Sequence, residues 1–236
     1  VAPVVSVTGD NPATAELGAT YTDAGATATD ASGAVTVVTS GTVDTTTVGS
    51  YTLTYTSTDA SGNAGTATRT VNVTDTVAPV VSVTGDNPAT AELGETYTDA
   101  GATATDASGT VTVTSSGTVD TDTLGSYTIT YTSTDASGNA GTATRTVNVT
   151  DTTAPTVTVT GANPLTVELD GTYTELGATS VDASDTPSAD GSIPGTLAAV
   201  ASGTVDTTKL GAYTITYTAT DASGNAGTAT RTVNVT

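Results

Sequence analysis

Carboxylates are the only side chains in this sequence numerous enough to do chemistry together. There are 24 Asp and Glu against four Lys and Arg, while His, Cys, Met, Trp and Phe are absent. Nucleophilic catalysis generally needs an imidazole, a thiol or an activated amine, and Lys209 is the single Lys. No disulfide can form, and no thiol or imidazole can hold a transition metal. Paired carboxylates can hydrolyse glycosides. Here, however, the acids recur in turns that read as exposed, and no large pocket is expected in so small a module. The sequence reads as a non-enzyme. Carboxylates gathered with amides and carbonyls leave one plausible site chemistry, a hard cation such as Ca²⁺, which takes roughly six to eight oxygen ligands.

The net charge of −20 is spread evenly, as −6, −8 and −6 over residues 1–76, 77–152 and 153–236. With no basic block, nucleic acid and anionic membrane are poor partners, and cations or a cationic surface are better ones. No apolar run approaches the roughly 20 residues of a membrane helix, and no signal peptide is present, so no membrane insertion is expected in this segment. The chain is expected to be mature or cut from something longer.

Repetition decides which elements carry the acids. Val1-Ala2-Pro3 returns at Val77-Ala78-Pro79 and, as Thr153-Ala154-Pro155, a third time. Asp59-Ala60-Ser61-Gly62-Asn63-Ala64-Gly65 returns unchanged at 135–141 and 221–227. The period of 76 is too long for a solenoid unit and suits a small domain with its own core. Three modules are therefore expected, at 1–76, 77–152 and 153–236, the third with a loop insertion near 185–197. The linkers at Asp75–Pro79 and Asp151–Pro155 are short and contain Pro, which should hold neighbours close.

Within one copy the apolar period is two. Val5-Ser6-Val7-Thr8 alternates, Gly9-Asp10-Asn11-Pro12 turns, and Thr20-Tyr21-Thr22 leads into Ala24, Ala26 and Ala28. Val35-Thr36-Val37 reads as a third strand. Tyr51, Leu53 and Tyr55 fall on one face of the next, with threonines on the other. The Asp59–Gly65 segment is a tight turn, and Val71 and Val73 point inward on the closing strand. Short strands with regular turns and no helical period imply an all-β, two-sheet sandwich. Gly49-Ser50-Tyr51-Thr52-Leu53 has tyrosine-corner spacing. Tyr51, Tyr127 and Tyr213 are the corner residues, and Leu53, Ile129 and Ile215 take the place of a core Cys.

These residues resemble the immunoglobulin-like repeats of bacterial surface proteins. The resemblance rests on Gly18…Tyr21-Thr22-Asp23-Ala24-Gly25-Ala26…Asp30, Gly49-Ser50-Tyr51…Tyr55…Asp59-Ala60-Ser61-Gly62-Asn63 and Arg69-Thr70-Val71-Asn72-Val73. It covers the chain three times, with Glu175-Leu176 departing in the third copy. It implies tandem immunoglobulin-like β-sandwich modules at an extracellular or cell-surface location, mostly spacers in adhesins.

In such a sandwich the second-to-third strand loop, the last hairpin and the incoming linker share one pole. That brings Asp75 toward Asp106, Asp135 and Asn139, and Asp151 toward Asp182, Asp221 and Asn225. Carboxylates so gathered repel unless a cation lies among them. One expectation is Ca²⁺ at each junction; the other is a set of ordinary turn caps and solvated charges. Arg69, Arg145 and Arg231, one per copy, read as ion pairs with a neighbouring acid, worth less than about 1 kcal/mol if exposed. The sequons Asn72-Val73-Thr74, Asn148-Val149-Thr150 and Asn234-Val235-Thr236 follow from Thr abundance.

The leading expectation is a structural protein, a stalk of modules about 35–40 Å each and about 110–120 Å in all. Its partners are neighbouring repeats of the same chain. One alternative is self-association into an extracellular filament. Another is an adhesin module binding glycan or protein through the third-module loop Asp185–Pro194.

Overall fold

The computed structural model describes residues 1–31, 33–182 and 196–236. Among these there is no helix, and hence none long and apolar enough to cross a membrane. The first repeat holds β1 (Val4–Val7), β2 (Ala13–Glu16), β3 (Ala26–Thr29), β4 (Val37–Ser40), β5 (Gly49–Thr58) and β6 (Ala64–Thr74). The second holds β7 (Val80–Val83), β8 (Ala89–Glu92), β9 (Ala102–Thr105), β10 (Val113–Ser116), β11 (Gly125–Thr134) and β12 (Ala140–Thr150). The third holds β13 (Thr156–Val159), β14 (Leu165–Val167), β15 (Ala178–Val181), β16 (Thr196–Leu197), β17 (Val200–Ser202), β18 (Gly211–Thr220) and β19 (Ala226–Val235).

β-Branched and aromatic residues at alternate positions fit a pleated, half-buried surface, and the long hairpin shows it. β5 pairs antiparallel with β6 from Gly49 opposite Val73 to Thr58 opposite Ala64. Tyr51, Leu53 and Tyr55 turn inward, and Thr52 and Thr54 turn outward. The four-stranded sheet is ordered β2-β6-β5-β4, with β1-β3 as the facing layer. The orders β8-β12-β11-β10 with β7-β9, and β14-β19-β18-β17 with β13-β15-β16, repeat the plan. In the first repeat Ala13, Leu53, Tyr55 and Val71 form the core, with Val5, Val7, Tyr21, Ala26, Val37 and Val43 against it. The tyrosine corner forms three times: Tyr51, Tyr127 and Tyr213 hydroxyls donate to the carbonyls of Thr47, Thr123 and Lys209 at 2.8, 2.8 and 3.0 Å.

Several expectations need correction. The strand expected at 35–37 runs instead from Val37 to Ser40, where it pairs with β5. The short strand at Ala13–Glu16, parallel to β6 in the register Ala13 opposite Val71, carries too little alternation to be read from sequence. Strands are not uniform: a pair of 10 and 11 residues is framed by strands of four.

The ion pairs expected of the three arginines form, but in the interior rather than at the surface. Arg69, Arg145 and Arg231 have side chains 2, 2 and 0% exposed. Arg69 extends from β6 through the core to the other layer. Its guanidinium meets Asp23 at 3.0 Å and donates to the carbonyls of Thr8 and, at 3.2 Å, Gly25. The Tyr55 ring lies 5.9 Å from the cation and its hydroxyl donates to Asp23 at 2.7 Å. Arg145 pairs with Asp99 at 3.1 Å, and Arg231 with Glu175 at 3.6 Å. A buried cation needs such a set of partners. Arg69 and Arg231 therefore tie the two layers together through these contacts.

Packing divides the chain into two compact units. One contains Val1–Thr84, Gly101–Ser116 and Thr130–Thr144; the other contains Gly85–Ala100, Gly117–Ile129 and Arg145–Thr236. The second repeat contributes to both.

Candidate functional site

Asp75 directly follows β6, so the register of that strand sets its position. β2 runs beside β6 and ends at Glu16 opposite Thr74. The Glu16 carboxylate thereby accepts from the Thr76 amide at 2.7 Å and its hydroxyl at 2.8 Å. On the other side the linker lies against the hairpin of the second repeat. A Cβ added to Gly141 would fall 1.8 Å from the Pro79 carbonyl oxygen, so only glycine allows this approach. Residues 75–79 are pinned between these two contacts.

The hairpin supplies the next carboxylate. Asp135 Oδ1 accepts from the amides of Ser137 and Asn139, both at 2.9 Å. Its Oδ2 accepts from Asn139 Nδ2 at 2.7 Å. Asn139 Nδ2 also reaches the Asp75 carbonyl at 3.1 Å, and the Ser137 hydroxyl reaches Asp75 Oδ2 at 3.5 Å. Asp106 comes from the loop after β9 and accepts from the amide of Ser108 at 2.7 Å and from its hydroxyl. Carboxylate oxygens of Asp75, Asp106 and Asp135 lie within 4.8 Å of one another. Asp75 and Asp135 are buried, contrary to the exposed turns expected from sequence.

The three acids differ electrostatically. Burial pushes the Asp75 carboxyl above its ordinary value; the Val77 amide opposes this, and the charges of Asp135, Asp106 and Glu16 add to it. Burial acts on Asp135 too, but bonds from Asn139, Ser137 and Gly138 outweigh it and hold the carboxyl low. Asp59 makes the same turn in the first repeat, with Asn63 Nδ2 at 2.7 Å and amides of Ser61 and Asn63 at 2.9 and 2.8 Å. The hairpin turn is thus capped by its own amides, as the plainer expectation held. The Asp75 carboxylate receives only longer bonds, from the Ser137 hydroxyl at 3.5 Å and the Val77 amide at 3.3 Å.

At the next linker Asn225 Nδ2 bonds the Asp151 carbonyl at 3.2 Å and Asp221 Oδ2 at 2.8 Å. Burial would raise Asp221, and Asn225 and neighbouring amides hold it low. Asp151, Asp182 and Asp221 are all buried. Glu92 accepts from Thr152 N and Oγ1 at 2.7 and 2.8 Å and from Thr153 N and Oγ1 at 3.0 and 2.8 Å. Gly227 stands 1.8 Å, at Cβ, from the Pro155 carbonyl oxygen. Sequence reasoning missed Glu16, Glu92, Gly141 and Gly227. Their signal was recurrence at fixed distance from the linker, but the parallel pairing that aims the two glutamates was not legible. The insertion Asp185–Pro194 and the boundary near 185–197 lie largely outside the described residues.

Contrary to expectation, the first repeat also carries an open groove of about 520 Å³ between residues 18–23, residues 39–45 and Leu53.

Comparison with known proteins places the fold. No curated protein matches the chain. Among solved structures, mouse cadherin-23 EC22-24 is 14% identical, with 100% of this chain and 99% of that chain covered and a TM-score of 0.35. The protocadherin gammaB7 EC3-6 cis-dimer structure is 13% identical, at 82% and 60% coverage and a TM-score of 0.34. The lipoprotein BT2262 from Bacteroides thetaiotaomicron is 18% identical, at 65% and 98% coverage and a TM-score of 0.28. The chain thus spans 60% of the protocadherin it matches. The family described as bacterial surface protein, Ig-like domain, matches residues 5–73, 81–149 and 157–235. The chain belongs to that family, as three tandem copies of its domain.

Proposed function

We propose that this chain is a spacer segment of an extracellular bacterial surface protein, and that Ca²⁺ stiffens its inter-repeat linkers. The family is one of surface proteins, and its repeats generally carry no catalysis. The observation that carries the calcium reading is the trio Asp75, Asp106 and Asp135, with oxygens within 4.8 Å and the buried Asp75 carboxyl raised by its neighbours. A cation among them relieves that repulsion, and carboxylate, carbonyl and hydroxyl oxygens at one pole suit Ca²⁺. Asn139 holds the Asp75 carbonyl and the Asp135 carboxylate together and acts as a positioning residue. We assign Asp151, Asp182, Asp221 and Asn225 to a second site by analogy, supported by the Asn225 bonds to the Asp151 carbonyl and Asp221; among the described residues the gathering within 4.8 Å is that of the first linker.

Thermal unfolding of the full chain in Ca²⁺ and in EDTA tests this. Ligand binding to the folded state raises the midpoint, so the midpoint in Ca²⁺ is expected to be higher. Identical midpoints remove the calcium reading and leave a spacer held by Glu16, Glu92 and the glycine contacts alone.

A further inference from the structure

We propose that the groove beside β4 of the first repeat binds a neutral pyranose residue, either as a free sugar or as the end of a glycan. This site is separate from the linker acids and does not rest on the calcium reading. Its volume of about 520 Å³ lies in the range of small-ligand sites, roughly 300–1,000 Å³.

The lining is divided as a sugar requires. Leu53, a core residue, forms the floor, and Tyr21 and Val43 supply further apolar wall. Thr39 and Asp23 stand among them as polar lining residues. A pyranose has an apolar face that stacks on an aromatic ring and hydroxyls that donate to a carboxylate. Asp23 is already oriented: its Oδ1 is held by Arg69 at 3.0 Å and by the Tyr55 hydroxyl at 2.7 Å, while its side chain remains 25% exposed. A fixed acceptor loses little freedom when a ligand arrives. Gly41 also lines the groove. It has φ of +96°, and an added Cβ would lie 2.5 Å from the Thr52 carbonyl oxygen, so the chain leaves β4 here without a side chain. The carboxylate and the charge of −20 disfavour anionic sugars.

The proposal is made for the first repeat. In the second, Glu95 replaces Ala19 at the corresponding position. In the third, Glu175 replaces Asp23 and accepts from both Tyr173 and Tyr217.

Saturation-transfer NMR on the full chain in EDTA tests the site. The probes are the methyl pyranosides of glucose, galactose, mannose and N-acetylglucosamine at about 5 mM, suited to a millimolar Kd. The same sugars as terminal residues of immobilised oligosaccharides form a second arm. Transfer to the ring protons of at least one pyranoside is expected. Binding only in the second arm assigns the groove to glycan ends; binding in both assigns it to the pyranose itself. Thr39→Phe fills the groove and is expected to cut the signal at least about fivefold; because Thr39 lies opposite Tyr55, its folding is checked by the melting midpoint. Ala19→Trp plugs the rim at a position where the second repeat carries the larger Glu95, and provides the same test if Thr39→Phe does not fold. No binding by any probe in either arm, or binding unchanged in a folded groove-filling variant, overturns the proposal.

Discussion

Removing the counter-ion of a buried arginine should cost far more than breaking a surface pair. In the first repeat Asp23→Ala leaves the Arg69 guanidinium, 2% exposed, without its carboxylate at 3.0 Å. It also removes the acceptor of the Tyr55 hydroxyl. Stranding a buried charge in this way typically costs about 3–5 kcal/mol. Arg69→Met removes the charge but strands the carbonyl of Thr8, which the guanidinium now satisfies, while the Gly25 carbonyl keeps the Thr8 amide at 2.9 Å; an orphaned group costs about 1–3 kcal/mol. Replacing both, as Arg69→Met with Asp23→Ala, leaves no unpaired charge and should cost less than the two single changes together. The expected coupling is about 1–3 kcal/mol. For a domain of this size each kcal/mol lowers the midpoint by roughly 4–8 °C, so Asp23→Ala should lower the first repeat's transition by more than about 10 °C. Urea and thermal unfolding followed by circular dichroism measure these effects. A cost below about 1 kcal/mol for either single change, the range of exposed pairs, would refute the layer-tying role. So would simple additivity in the double variant.

Three further outcomes follow from named contacts. Burial first, and then hydrogen bonds to Asp23 or Glu175, push the Tyr55, Tyr173 and Tyr217 hydroxyls up to about 12. A raised folded value means the fold favours the protonated phenol. That contribution is full below the ordinary value near 10 and is lost as pH rises through about 12, so urea midpoints should fall between those limits while ultraviolet phenolate titration is delayed. Gly141→Ala places a Cβ 1.8 Å from the Pro79 carbonyl and should lower the melting midpoint through overpacking of about 1–3 kcal/mol; an unchanged midpoint would show that the linker does not rest there. Glu16→Ala removes two bonds to Thr76, and the Thr76 amide should exchange with solvent at least about tenfold faster.

The fold was legible where local pattern and final burial agree. Alternation at Tyr51, Leu53 and Tyr55 survives as the inner face of β5 because a two-residue period has one meaning on a half-buried sheet. The tyrosine corner was readable because its partners lie four residues apart. The Arg69 ion pair was legible but its burial was not, because one charged residue on a strand is usually exposed. Its burial depends on Asp23, Thr8 and Gly25, which lie 44 to 61 residues away. The candidate site was readable in part: topology alone brings the loop acid Asp106 and the hairpin acid Asp135 to the linker. Glu16 escaped notice because only a parallel strand pairing aims it there.

Titration calorimetry of the metal-stripped full chain with CaCl₂ tests the central claim most directly, because it reads occupancy of the acidic trio rather than its consequences. The account expects a saturable isotherm that Asp75→Asn weakens by about tenfold or more, with Mg²⁺, which demands a tighter octahedral shell, competing poorly. A flat isotherm at millimolar Ca²⁺, or an Asp75→Asn chain that binds as tightly as the original, would contradict it.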